Sequence, residues 1–324
     1  MPTTAPAGPI RRSVPQVTDR CTAISRSYDE PVAGTASRAR RWLVVEQPGP
    51  WGRDALRESD LPPTVARHLE SVSRSLPARV LLLRRTGGGG TPGTRRVVMA
   101  GVSLPGGGGW LEQLVVDHVE DLLDLDLAGV AAGTSIGGER LLDPVYLVCT
   151  NGKHDACCAE YGLPVARALD ELLPERTWEC SHVGGDRFAG NLVCLPDGIF
   201  YGHLDPDTAV AAVAAHQAGR VLAPHCRGRS ALPFVAQAAE LLARERLGIE
   251  RLDGLRYLGA GRDGDHHRVR FVLVDGREVV ATVRRGVDPV PRTMTCNVAP
   301  AHPPTHELVA LQIVDAVASA TNGP

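Results

Sequence analysis

The chain has 324 residues, 43% of them apolar and 22% charged, enough for two or three domains with ordinary cores. Its 35 Lys and Arg against 37 Asp and Glu leave a net charge of −2, so no whole-molecule field draws it to nucleic acid or to an anionic membrane. No stretch approaches the roughly 18 apolar residues of a membrane span, and residues 1–18 lack the apolar run of a secretory signal. A cytoplasmic protein with a disordered tail over residues 1–20 is expected. In that setting the eight cysteines are reduced thiols or metal ligands rather than a disulfide framework.

Along the chain, WLVVE after Arg41 reads as a buried strand that the prolines and glycines of QPGPWG bring to a stop. Helical spacing from Leu61 to Leu76 leads into the strand ARVLLLRR, and the Gly-rich TGGGGTPGT separates that strand from a third, RRVVMAGVSL. From residue 111, LEQLVVDHVEDLLDLDL reads as a strand followed by a helix. These elements make an N-terminal α/β domain over residues 21–138. The two GGGG tracts read as loops, since a phosphate cradle would need the Lys-Ser/Thr that neither has.

The second domain, residues 139–222, is more regular. PVYLVC is a strand, LPVARALDELL a helix with Pro164 near its start, and TWECSHV a second strand. NLVCLPDGIFYGHL holds two apolar runs about a Pro-Asp-Gly turn, and Asp205-Pro206 caps a helix that Gly219 closes. This β-α-β-β-α order matches a thioredoxin-like core. A C-terminal α+β unit over residues 223–324 follows, with a helix over 231–247 and a hairpin turning at Asp275-Gly276. The fold class expected is α/β with mixed sheets.

The chemistry concentrates in the middle. Cys149 ends a strand, and Cys158 lies nine positions on, past a polar turn that can fold two thiolates onto one soft metal centre. In CSHVGGDRFAGN, His182 and Asp186 flank a Val-Gly-Gly bend that lets the backbone curl beside something bulky. Two thiolates, an imidazole and that bend suit a transition metal or an iron–sulfur cluster.

CTNGKHDACC and HVGGDRFAGNLVCLPDGIFYGHLDP, with WLVVEQPGPWG and TMTCNVAP, resemble the sucrase/ferredoxin-like family, relatives of the thioredoxin-like [2Fe-2S] ferredoxins, over roughly residues 21–310. The resemblance implies a [2Fe-2S] cluster, with Cys149 and Cys158 on one iron and His182 as the first imidazole on the other. Asp186 stands where the family's second histidine would be, and a carboxylate is a harder ligand. The fourth ligand is therefore Asp186 by motif position, with Cys180, Cys157 or Cys194 as alternatives. His154 is placed beside the centre as a hydrogen-bond donor to sulfur, and Arg187 as a cation offsetting its charge. Imidazole in place of thiolate removes negative charge and raises the potential, and a ligating histidine can couple reduction to proton uptake.

The function expected is an electron carrier working with a redox partner protein, not a catalyst with its own substrate. A thiol-disulfide redox protein using Cys157 and Cys158 is the alternative, weakened because adjacent cysteines seldom form an unstrained disulfide. A structural zinc site draws on the same donors. Sucrose hydrolysis would need two carboxylates about 5 to 9 Å apart flanking a sugar cleft, whereas Asp197 reads as a turn residue and Asp205 as a helix cap. Cys21, Cys226 and Cys296 are assigned to packing, and His203 to a strand end.

Overall fold

The structure, a computed structural model, describes residues 20–75, 78–90 and 93–315. The expected disordered tail, apart from Arg20, lies outside the described residues. After α1 (Cys21–Ser27), the N-terminal half runs β1 (Arg41–Glu46), α2 (Ala55–Glu58), α3 (Pro63–Ser75), β2 (Ala78–Arg84), β3 (Arg96–Val102), β4 (Trp110–Val116), α4 (Ala128–Ala132) and β5 (Glu139–Arg140). The unbroken apolar run of β1 is buried on both faces, with Trp42 through Val45 at 0% exposure. It pairs in parallel with β2 and antiparallel with β3.

The helix expected after β4 does not form. A short 3₁₀ turn over Val119–Leu123 and the five-residue α4 stand there instead. The aspartates explain this: Asp121 accepts the His118 amide at 2.9 Å and Asp126 the Ala128 amide at 3.2 Å. Such local bonds offer the backbone turns in place of a continuous helix.

The middle of the chain gives β6 (Val145–Cys149), α5 (Ala156–Leu172), β7 (Thr177–Cys180), β8 (Leu192–Leu195), β9 (Ile199–Tyr201), α6 (Pro206–Gln217) and β10 (Cys226–Arg229). The β-α-β-β-α order is present, with β6 and β7 parallel and β8 and β9 antiparallel beside them. α5 begins seven residues earlier than its apolar pattern predicts, because Asp155 accepts the Cys157 amide at 2.9 Å and caps it. Pro164 consequently lies inside the helix rather than near its start. Gly162 lets α5 press onto β6: a Cβ there would stand 2.1 Å from the Cys149 carbonyl oxygen.

All ten of these strands form one sheet, in the order β10-β9-β8-β6-β7-β2-β1-β3-β4-β5. The two halves meet where β2 and β7 pair through Leu83 with Cys180 and Arg84 with Glu179. One core, holding Trp42, Leu81, Leu147, Cys149, Trp178 and Phe200, runs along one face of both halves. Separate cores lie beneath α3 and between the sheet, α5 and α6.

α7 (Phe234–Leu247) then packs on a second sheet, the meander β11 (Leu255–Asp263), β12 (His266–Leu273), β13 (Glu278–Val287) and β14 (Pro304–Val314). The β12–β13 hairpin turns at Asp275-Gly276 as expected; β11 and β14 went unread. The segment between β13 and β14 leaves this sheet and returns to the start of α5, where the Cys296 amide donates to Asp155 at 2.6 Å. No helix among the described residues is long and apolar enough to cross a membrane.

Candidate metal centre

The centre forms where β6 stops. Beyond Cys149 the chain turns through Asn151, whose carbonyl accepts the His154 amide at 3.1 Å, and the Cys158 amide bonds the Asp155 carbonyl at 3.0 Å. This turn brings the first turn of α5 back over the strand end. From the neighbouring strand β7 the chain runs on to His182 and then bends at Gly184 and Gly185, both left-handed with φ of +89° and +80°. The bend wraps the buried Arg227 guanidinium, which donates to the Gly184 carbonyl at 2.8 Å and to Asn191 at 2.7 Å. A Cβ on Gly185 would fall 2.2 Å from Arg227 Nη2.

His182 Nδ1 lies 4.0 Å from Cys149 Sγ and 3.8 Å from Cys158 Sγ, and the three donor atoms all lie within 4.8 Å of one another. Asp186 adds its carboxylate, with Oδ1 at 3.1 Å from His182 Nδ1 and accepting from the Cys158 thiol at 3.6 Å. His154 stacks on His182 with ring centroids 3.6 Å apart and planes 11° from parallel. Its Nδ1 meets the Arg53 carbonyl at 3.1 Å, and its Nε2 stands 4.0 Å from Asp186 Oδ1. Both thiols are fully buried, while the His182 and His154 side chains are 18% and 26% exposed. The two rings line a cleft of about 400 Å³ with Arg53, Asn151 and Ser181, so the group is sealed on its sulfur side and open on its imidazole side.

The hydrogen bond from Cys158, helped by His182, holds the Cys149 thiol well below its usual range, and the same bond pushes Cys158 up. A bound cation would displace the protons these thiols hold. Burial lowers the Arg227 pKa to about 9, with Arg187 adding to the effect, while negative charge on Cys149 and Asp186 opposes it. Arg79 donates to the His182 carbonyl at 2.9 Å. Two cations therefore hold the His182 loop from behind.

The structure brings Cys149, Cys158, His182 and Asp186 into one place, and the expected neighbour His154 with them. The alternative fourth ligands fall elsewhere. Cys180 is the register partner of Cys149 but is buried in the core outside the donor group, and Cys194 belongs to the core on the other face of the sheet. Cys157 turns its thiol toward Cys21 and Cys296, and Cys21, Cys157 and Cys296 pack together with Ala189 and Tyr161. Arg187 is engaged by Glu30 at 2.7 Å and lies over Phe188, so its charge is already countered by Glu30. Asp197 pairs with His216 at 3.1 Å, and Asp205 accepts the Thr208 amide at 2.9 Å. His203 bonds the Arg187 carbonyl at 2.9 Å, and burial lowers its pKa to about 4. Sequence reasoning missed Arg227, Arg79 and Thr295, whose hydroxyl donates to Asp186 Oδ2 at 2.8 Å; no local pattern marks them, since each reaches the site only through the fold.

A family model described as sucrase/ferredoxin-like matches residues 32–228. Among curated proteins, the chain is similar to "Altered inheritance of mitochondria protein 32" of Meyerozyma guilliermondii, 30% identical over 79 residues. That stretch covers 21% of this chain and 28% of the relative, so the chain spans less than a third of the relative's length. No solved structure matches.

Proposed function

The chain belongs to the sucrase/ferredoxin-like family, and on that footing we propose that it is a one-electron carrier holding a [2Fe-2S] cluster between Cys149, Cys158, His182 and Asp186. The observation that carries the reading is the convergence of two buried thiols and a half-buried imidazole nitrogen within 4.8 Å, at the mouth of a cleft. The donors fit in kind: thiolates suit iron, and a nitrogen ligand is the known variation on an all-cysteine set. The order of β6, α5, β7, β8, β9 and α6 supports the thioredoxin-like relation. Such a cluster would supply single-electron transfer at a potential above that of an all-thiolate site.

The protein's own residues have defined tasks. Cys149 and Cys158 would supply the thiolates, the sheet core shields their sulfurs from water, and Arg227 and Arg79 fix the loop that carries His182. His182 turns Nδ1 toward the thiols and keeps its ring on the open side of the group. The sulfur side is closed and the imidazole side faces the cleft, so a redox partner would dock on the imidazole side.

Anaerobic reconstitution with iron and sulfide tests this. Visible absorption is expected in the intact protein and should be lost in Cys149→Ala and in Cys158→Ala. Asp186→Ala should shift the bands and His154→Ala should leave them in place; the reverse pattern would move the fourth ligand to His154. A protein that stays colourless and takes one zinc on these residues would overturn the proposal. That single-ion outcome is the second reading, since a zinc ion would draw on the same thiolate, imidazole and carboxylate donors.

A further inference from the structure

A second group of thiols lies on the far side of the α5 N-terminus. Cys21 opens α1, Cys157 is the second residue of α5, and Cys296 sits in the segment between β13 and β14; Cys21 and Cys296 are 275 positions apart. Cys157 Sγ lies 3.6 Å from Cys21 Sγ and 3.6 Å from Cys296 Sγ. Asp155 brings a carboxylate to 3.8 Å from Cys21 Sγ, and one donor atom from each of the four residues lies within 4.8 Å of the others. Cys21, Cys157 and Asp155 are buried, and Cys296 is half-buried.

We propose that Cys21, Cys157, Cys296 and Asp155 form a second metal site, holding one soft divalent ion of the zinc class in a tetrahedral three-thiolate, one-carboxylate set. The spacing matches. Zinc–sulfur bonds of about 2.3 Å at the tetrahedral angle place ligand sulfurs about 3.8 Å apart. A disulfide would use two of the thiols and leave the third buried beside them, whereas an ion uses all three.

The surroundings suit thiolates. The Cys21 amide donates to Cys296 Sγ at 3.5 Å. Arg20 stands at the rim within reach of Cys296. Asp155 accepts amides from Cys157 and Cys296 at 2.9 and 2.6 Å, which fixes its carboxylate while leaving lone pairs for an ion.

Binding releases the thiol protons to solvent and changes no oxidation state. The ion would tie α1 and the segment from the C-terminal sheet to α5. That segment also carries Thr295, and α1 carries Thr22, which donates to the Asp186 carbonyl at 2.9 Å. The second site therefore braces the carboxylate of the first.

The test is metal content and cobalt titration of the full chain under reducing conditions. In Cys149→Ala/Cys158→Ala, one equivalent of Co(II) should bind and give thiolate-to-cobalt charge transfer with the intense visible bands of a tetrahedral ion. Adding Cys21→Ser and Cys296→Ser should remove both. In the otherwise intact reconstituted chain, Cys21→Ser/Cys296→Ser should lose one zinc per chain and keep its iron. No cobalt bound, or binding that persists without Cys21 and Cys296, would overturn the site. A chain with one zinc that depends on Cys21 and Cys296 but no chromophore would sustain this site and refute the electron carrier; a chromophore with no zinc would do the opposite.

Discussion

Gly185 shows how tightly the His182 loop is built. Its φ of +80° favours glycine, and a Cβ there would run into Arg227. Gly185→Ala should therefore lower stability by about 2 kcal/mol, adding backbone strain to displacement of a buried cation, and denaturation midpoints with cluster yield would show it. Wild-type stability in that variant would mean the loop adapts and that Arg227 does not position His182. Cys149, Cys158, His182 and Asp186 were legible because their spacing and the paired glycines are local. Arg227 and the stacking of His154 on His182 were not, since residues 45 and 28 positions from His182 meet it only once the chain has folded.

Helix α5 concentrates the chemistry at one end. Asp155 caps it while facing the second thiol group, Cys157 points to that group, and Cys158 to the first. Adjacent residues on a helix diverge by about 100°, so the two thiols of the Cys-Cys pair face two different donor groups. The sequence pattern placed the helix start too late because Cys157, Cys158 and Gly162 are poor helix formers; tertiary contact at Gly162 and the Asp155 cap override that preference. The cap of α6 was legible in full from Asp205-Pro206. Asp205→Ala should cost about 1 kcal/mol by urea denaturation at neutral pH. The Thr208 amide holds the Asp205 carboxyl below its ordinary value, so this contribution is present above the unfolded carboxylate pKa and fades as pH falls through the folded one.

Across the molecule, the flanking units enclose the centre. The ten-stranded sheet runs on from β7 into β2, and the C-terminal unit sends Thr295 and Cys296 back to the start of α5. The β12–β13 hairpin was readable from Asp-Gly, but neither the sheet junction nor this return follows from local pattern. The C-terminal unit is fastened by Glu240 on α7, which is buried and bonds both Arg229 on β10 and Arg244, each at 3.0 Å. Burial pushes the Glu240 carboxyl up, yet the two guanidiniums hold it below its usual range. Glu240→Gln should cost about 3 to 5 kcal/mol at neutral pH because it leaves two buried cations unpaired. In the parent, that stability is present above the unfolded carboxylate pKa and is lost as pH falls through the lowered one. Equal stability of the two proteins at pH 7 would show that the network does not fasten the unit.

Pulsed EPR of the reconstituted, dithionite-reduced protein labelled with ¹⁵N-histidine tests most directly whether sulfur and nitrogen share one iron centre here. A half-integer spin signal with strong ¹⁵N coupling that disappears in His182→Cys is the expected result. A reduced protein with no such signal, or a signal without nitrogen coupling, would contradict mixed thiolate and imidazole ligation.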